Sequence, residues 1–159
     1  MTMLMLFTDG SMHTQSKIGY GAYLAISEIT QELPSLREQV KVIRFEQTSS
    51  TKLELQTLLS ALKEITIPDD TIQVYTDSQN IIGLPKRRLR LEQNDYFSKK
   101  NKRFNNYKLY QEFYAFTDRY DLELIKVRGH KQTRFKDEIE KIFTLVDRAS
   151  REALRKEFC

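Results

Sequence analysis

Apolar and polar positions alternate along the chain in two distinct rhythms. Residues 3–8 form an apolar run that gives way to Asp9-Gly10-Ser11, a pattern that predicts a buried strand closing in a turn. Residues 20–26 and 40–45 are β-rich and partly alternating, so three antiparallel strands are expected. Between 52 and 65 the period changes to that of a helix: Leu55, Leu58, Leu59 and Leu62 share a face that Leu53 and Ile65 extend, with Ser49, Ser50 or Thr51 able to cap it. Residues 71–76 predict a fourth strand ending at Asp77-Ser78, followed by a short helix. A Tyr- and Phe-rich helix is expected over 104–120, then a fifth strand over 122–127 and a turn at Gly129-His130. The last helix, from about 136 to 158, carries Ile139, Ile142, Phe143, Val146, Ala149, Ala153 and Leu154 on one side. The order βββαβααβα predicts an α/β fold: a five-stranded mixed sheet, its first three strands antiparallel, flanked by helices on both faces.

Composition narrows the class. The 159 residues include one cysteine, Cys159, and two histidines, His13 and His130, which exclude a disulfide scaffold and a Cys/His zinc site. The apolar start is far shorter than the roughly 18 residues of a membrane span and lacks a basic flank, so neither a span nor a signal peptide is expected. No repeat or linker interrupts the chain, which reads as one cytoplasmic domain, 1–159, and most simply as a monomer. Charge is unevenly placed. The segment at about 84–108 holds nine basic residues, Lys86, Arg87, Arg88, Arg90, Lys99, Lys100, Lys102, Arg103 and Lys108, against Glu92 and Asp95. The whole chain carries only +4, so the rest is slightly acidic. A compact basic element points to a polyanion, and Tyr96, Phe97, Phe104 and Tyr107 within it offer faces for sugars or bases. The alternative is a solvated helix hairpin with its own small apolar face.

The candidate chemistry lies in the carboxylates. Asp9 ends the first strand, Asp77 ends the fourth, Glu54 lies on the first helix between Leu53 and Leu55, and Asp147 follows Val146 on the last helix. If the first and fourth strands run parallel as neighbours, Asp9 and Asp77 lie side by side, where Glu54 and Asp147 complete a cluster. Carboxylates in one pocket repel each other unless a cation neutralises them. An all-oxygen ligand set points to Mg²⁺ or Mn²⁺. Two such ions about 3.5–4 Å apart serve phosphodiester hydrolysis.

Six motifs then appear in order: Phe7-Thr8-Asp9-Gly10-Ser11, Gly19-Tyr20-Gly21-Ala22-Tyr23, Glu54-Leu55, Tyr75-Thr76-Asp77-Ser78, Val127-Arg128-Gly129-His130 and Asp147-Arg148-Ala149-Ser150-Arg151. Across nearly its whole length the chain resembles ribonuclease H of the bacterial type I class. The resemblance implies a ribonuclease H-like fold and metal-dependent endonucleolytic cleavage of the RNA strand in an RNA–DNA hybrid, leaving 5′-phosphate and 3′-hydroxyl ends. It implies that Asp9 bridges two metal ions, that Glu54, Asp77 and Asp147 are the further ligands, and that His130 assists proton transfer or product departure. It places Gly10, Ser11, Ser50, Thr51 and Ser78 beside the substrate. The basic segment resembles the family's protrusion, with Lys86, Arg87, Arg88, Lys99 and Lys100 on the DNA strand's backbone. Hybrid would be selected by groove shape and 2′-hydroxyl contacts.

The chain departs from that pattern in three places. Ser50-Thr51-Lys52 replaces the family's Asn-rich approach to the glutamate, the basic segment has no Trp, and 17 positions separate His130 from Asp147. The long gap leaves Asp137 and Glu138 as competitors for the fourth ligand place, with Asp147 preferred because Ala149, Arg151 and Ala153 follow it in the family's manner. His13 is read as a surface residue near the pocket. A dehalogenase-type phosphatase is discarded, because its nucleophilic Asp falls where this chain has Phe7. A nucleic-acid-binding protein of the same fold without hydrolysis, and a related nuclease with another substrate, remain as alternatives.

Overall fold

The computed structural model describes residues 3–27, 32–65, 71–128 and 137–159. Five strands, β1 (Leu4–His13), β2 (Ile18–Ile26), β3 (Lys41–Phe45), β4 (Ile72–Thr76) and β5 (Leu122–Lys126), form one sheet in the order β3-β2-β1-β4-β5. Pairing is antiparallel from β3 through β2 to β1, and parallel from β1 through β4 to β5. The helices are α1 (Leu33–Gln39), α2 (Ser50–Glu64), α3 (Gln79–Gln93), α4 (Tyr107–Arg119) and α5 (Glu138–Phe158). Among the described residues no helix is long and apolar enough to cross a membrane.

Strand alternation divides the core between the two faces of the sheet. Leu6, Ile72 and Val74 pack with Leu55, Leu58, Leu59 and Leu62 of α2, Ile81 and Leu84 of α3, and Tyr110 and Phe113 of α4. Met5, Phe7, Leu24 and Tyr75 face the other way, toward Leu36 of α1 and Ile142, Phe143 and Val146 of α5. Within that second layer the Phe7 and Tyr75 rings stack at 4.7 Å. Helices thus cover both faces of a mixed sheet, as the pattern predicts.

Three elements differ from the sequence reading. Asp9-Gly10-Ser11 is not a turn: β1 continues to His13, paired with β2 through Gly10↔Gly21 and Ser11↔Tyr20. The parallel ladder to β4 stops at Phe7↔Tyr75, so the polar residues beyond it occupy strand that has a neighbour on one side only. The turn falls at 14–17, where Ser16 Oγ donates to the His13 carbonyl and Lys17 takes a positive φ of 58°. Second, α1 intervenes between β2 and β3. Pro34 lies in its first turn, where the missing N–H costs nothing, and Leu36 is fully buried against α5's side of the core. Third, α3 is not short. It runs for 15 residues through Pro85, because Ile81, Leu84 and Leu91 are all buried and the Tyr114 hydroxyl donates to the Leu84 carbonyl at 2.7 Å. Packing outweighs the roughly 3 kcal/mol a proline costs inside a helix.

Close approach of α2 to the sheet depends on glycine. A Cβ at Gly10 or Gly19 would lie 2.9 or 2.7 Å from Leu53 Cδ2, and one at Gly21 would lie 1.9 Å from Thr57 Oγ1. These three positions on β1 and β2 form a seam into which α2 presses Leu53 and Thr57, both buried. The helix starts where Ser49 Oγ accepts from Lys52 N. Glu54 is carried on the first turn and a half of this seated helix.

Candidate active site

The register of β1 against β4 sets the first two carboxylates. Asp9 and Asp77 each stand two residues beyond the last parallel pair, Phe7↔Tyr75, at the same end of adjacent strands. Glu54 arrives from α2 and Asp147 from α5. All four line one cavity of about 200 Å³, together with Gly10, Ser11, Arg128, Glu140, Thr144 and Arg151. Four elements on both sides of the sheet therefore converge on the predicted cluster.

Each acid has a defined environment. Asp9 is 9% exposed, and burial, the charge of Asp77 and a hydrogen bond with Asp147 push it far above the carboxylate range, to about 9, against a smaller opposing bond from the Gly10 N–H. Burial also raises Glu54, with Asp77 adding to the shift, while the Ser78 hydroxyl, donating to Oε2 at 2.6 Å, lowers it. Asp147 Oδ1 accepts from Arg151 Nε at 2.9 Å. Its carbonyl accepts from Ser150 Oγ, and Ser150 Oγ lies 2.9 Å from Ser11 Oγ, which ties α5 to β1 beside Asp9.

The donor set suits a hard divalent cation: it is all carboxylate oxygen, and burial followed by the charge of Asp77 holds Asp9 well above the usual carboxylate range. Among the described residues no three acidic, His or Cys side chains are gathered into a formed cage. The acids instead lean on internal partners, Glu54 on Ser78, Asp147 on Arg151, and Asp9 on Asp147.

Ser78 has two duties, because its Oγ also accepts from Ile81 N as the N-cap of α3. Ser78→Ala is expected to cost about 1 kcal/mol of stability through the lost cap and to lower turnover several-fold by releasing Glu54. Thermal unfolding and steady-state rates read the two effects separately.

The other predicted residues divide. Ser11 and Gly10 line the cavity. Ser50 and Thr51 lie exposed in the first turn of α2 and do not line it. Asp137 is the N-cap of α5, in a capping box with Glu140, and Glu138 is the next residue; both are exposed and neither lines the cavity, whereas Asp147 does. His13 does not line it either, since its ring stacks on Phe158. His130 and Gly129 lie outside the described residues. Glu140 joins the site from outside the expected set: it is buried, two helical turns before Asp147 on the same stripe, and lines the same cavity. That i, i+7 spacing was the available signal, hidden by the apolar neighbours Ile139 and Ile142.

In the basic segment Lys86, Lys99 and Lys100 are exposed. Arg87 donates to Asn80 Oδ1 and lies over the Tyr110 ring. Arg88 is engaged by both oxygens of Asp118 and by Glu92. The aromatic residues do not present open faces. Tyr96 is buried, Phe104 and Tyr107 pack on the core, and Arg103 covers Phe97 and Tyr107. The hairpin's own apolar face accounts for them.

Comparison with known proteins agrees with this architecture. The foamy viral protease-reverse transcriptase, solved in complex with dsDNA, is similar in fold, with a TM-score of 0.61 at 12% identity over 94% of this chain and 93% of that chain. No curated protein matches the chain in sequence. The RNase H family matches residues 1–153, nearly the whole length, and the chain belongs to the RNase H family.

Proposed function

We propose that the chain is an endoribonuclease that hydrolyses the RNA strand of RNA–DNA hybrids with Mg²⁺ or Mn²⁺, leaving 5′-phosphate and 3′-hydroxyl ends. Family membership supports nucleic-acid hydrolysis of the RNase H type. The observation that carries the finer reading is the convergence of Asp9, Glu54, Asp77 and Asp147 from four elements on one small cavity. On this reading Asp9, Glu54, Asp77 and Asp147 would together hold the divalent ions. Bound there, divalent cations supply an activated water and compensate the charge that develops on the scissile phosphate.

The chain's own residues do the rest. Ser78 keeps Glu54 oriented toward the cavity and the ribose beside it. The Ser11–Ser150 contact holds α5 in place against β1, and so positions Asp147 relative to Asp9. His130 assists proton transfer or product departure. Residues 1–159 act as one monomeric unit whose protrusion at about 84–108 meets the DNA strand through Lys86, Arg87, Lys99 and Lys100. Arg88, tied to Asp118 and Glu92, serves that surface as a brace for α3 against α4 more than as a free contact. Ser50 and Thr51, exposed at the start of α2, approach the minor groove, where 2′-hydroxyls distinguish RNA from DNA.

A second reading, binding without hydrolysis, draws on the absence of a formed cage among the described residues. Cleavage of a labelled RNA–DNA hybrid beside single-stranded RNA, duplex RNA and duplex DNA separates them. The hydrolase cuts the hybrid alone and stops when EDTA is added. A binding protein shows salt-sensitive association with no product.

A further inference from the structure

Arg151 has a place in the cavity that the carboxylate cluster does not require. It lines the cavity with Asp9 and Asp147, and its Nε donates to Asp147 Oδ1 at 2.9 Å. Acid four residues before base is an ordinary pair on a helix surface. This pair differs in what surrounds it. The Asp147 side chain is 26% exposed and also shares a hydrogen bond with buried Asp9, whereas Arg151 is 49% exposed and has a route to solvent. The guanidinium therefore supplies positive charge to the one cluster member that connects α5 to β1.

We propose that Arg151 is a positioning residue that acts as a tethered cation: it holds Asp147 in the metal-free chain and yields that carboxylate when a divalent ion enters. The inference rests on the metal-site reading above. A cation at Asp147 must displace the guanidinium and tolerate its nearby charge, so Arg151 weakens that ion's binding and sets the metal concentration at which the site fills. The arrangement keeps Asp147 oriented and compensated before the ion arrives. It also makes the Asp147 side of the site the weaker one.

The test is calorimetric titration of the full chain with Mn²⁺ in the absence of nucleic acid, accompanied by thermal unfolding. Arg151→Gln should tighten the weaker Mn²⁺ step about two- to fivefold, as expected for removing a partly exposed ion pair and its charge. Arg151→Lys, which keeps the cation, should stay near the wild-type isotherm. Asp147→Asn combined with Arg151→Gln should lose the gain. Arg128→Gln, which removes another charge lining the cavity, should move the isotherm less. A lower melting temperature for Arg151→Gln with an unchanged or weaker isotherm would overturn the proposal, as would equal tightening by Arg128→Gln. Absence of any Mn²⁺ binding overturns the metal reading and this inference together. Tightening in a chain that cuts no hybrid leaves the inference standing and removes the substrate reading.

Discussion

Asp9→Asn is expected to abolish hydrolysis, by at least about a thousandfold, while making the metal-free protein more stable at neutral pH. The two effects have one cause. Asp9 is buried beside Asp77 and bonded to Asp147, and its carboxyl is pushed up from 3.8 to about 9. Between those values the folded chain keeps a proton that the unfolded chain has released. Stability from this group therefore falls as pH rises through the window, and the penalty is complete above about 9. Asparagine removes the penalty and can still donate to Asp147, so the variant gains on the order of 2 kcal/mol at pH 7 and its stability depends less steeply on pH. Saturating Mg²⁺ should reverse the order, because ligand bound only by the native wild type adds stability that the variant cannot share. Melting temperatures at pH 5, 7 and 9, with and without Mg²⁺, check the sign at each point. A variant less stable than wild type at pH 7 without metal would mean that Asp9 is not under electrostatic strain.

Gly21→Ala is expected to give the largest loss of stability, about 3 kcal/mol. The new Cβ would lie 1.9 Å from Thr57 Oγ1 and 2.9 Å from both Thr57 Cβ and Cγ2. Thr57 cannot swing aside, because it is fully buried and its hydroxyl donates to the Leu53 carbonyl at 2.7 Å. The helix itself must lift, and Glu54 lifts with it, so turnover should fall more than hybrid affinity. Thr57→Ala added to Gly21→Ala removes the shortest contact and should recover part of both losses. Gly83→Ala is the counter-case. Nothing lies within 4 Å of its Cβ, and alanine in a helix interior is favoured over glycine by up to about 1 kcal/mol. Denaturant unfolding of the three variants reads the series, and a Gly21→Ala protein as stable as wild type would mean that α2 is not seated on the glycine seam.

These two sites also show what the sequence could and could not convey. Asp9 and Asp77 were legible because each ends an apolar run, and two such runs read as neighbouring strands. Glu54 and Asp147 were legible through motif context, since helix acids flanked by apolar residues are common. The continuation of β1 past Asp9 was not legible: Gly10 and Ser11 have turn chemistry, and only pairing with Gly21 and Tyr20 across the sheet keeps them extended. Nor was α1, seven residues long and too short for a periodic signal. The length of α3 was masked by Pro85, whose cost is offset by three buried side chains. In the basic segment, charge count revealed a cationic surface, while the direction of Tyr96, Phe104 and Tyr107 was settled by tertiary contacts with α3, α4 and the sheet. Glu140 and the Arg151 pair are relations between residues one or two helical turns apart, visible once α5 is laid against β1.

Cleavage of an RNA–DNA hybrid carrying a label on the RNA strand, in Mg²⁺, by wild type and by Asp9→Asn, Glu54→Gln, Asp77→Asn and Asp147→Asn in parallel, tests the central claim most directly. The four acids acting as one metal-dependent site predict RNA-strand cleavage by wild type, with 5′-phosphate ends, and a loss of at least about a hundredfold in every variant while each still binds hybrid. Hydrolysis that survives in any of the four variants at near wild-type rate, or a wild-type chain that binds hybrid and leaves it intact, would contradict it.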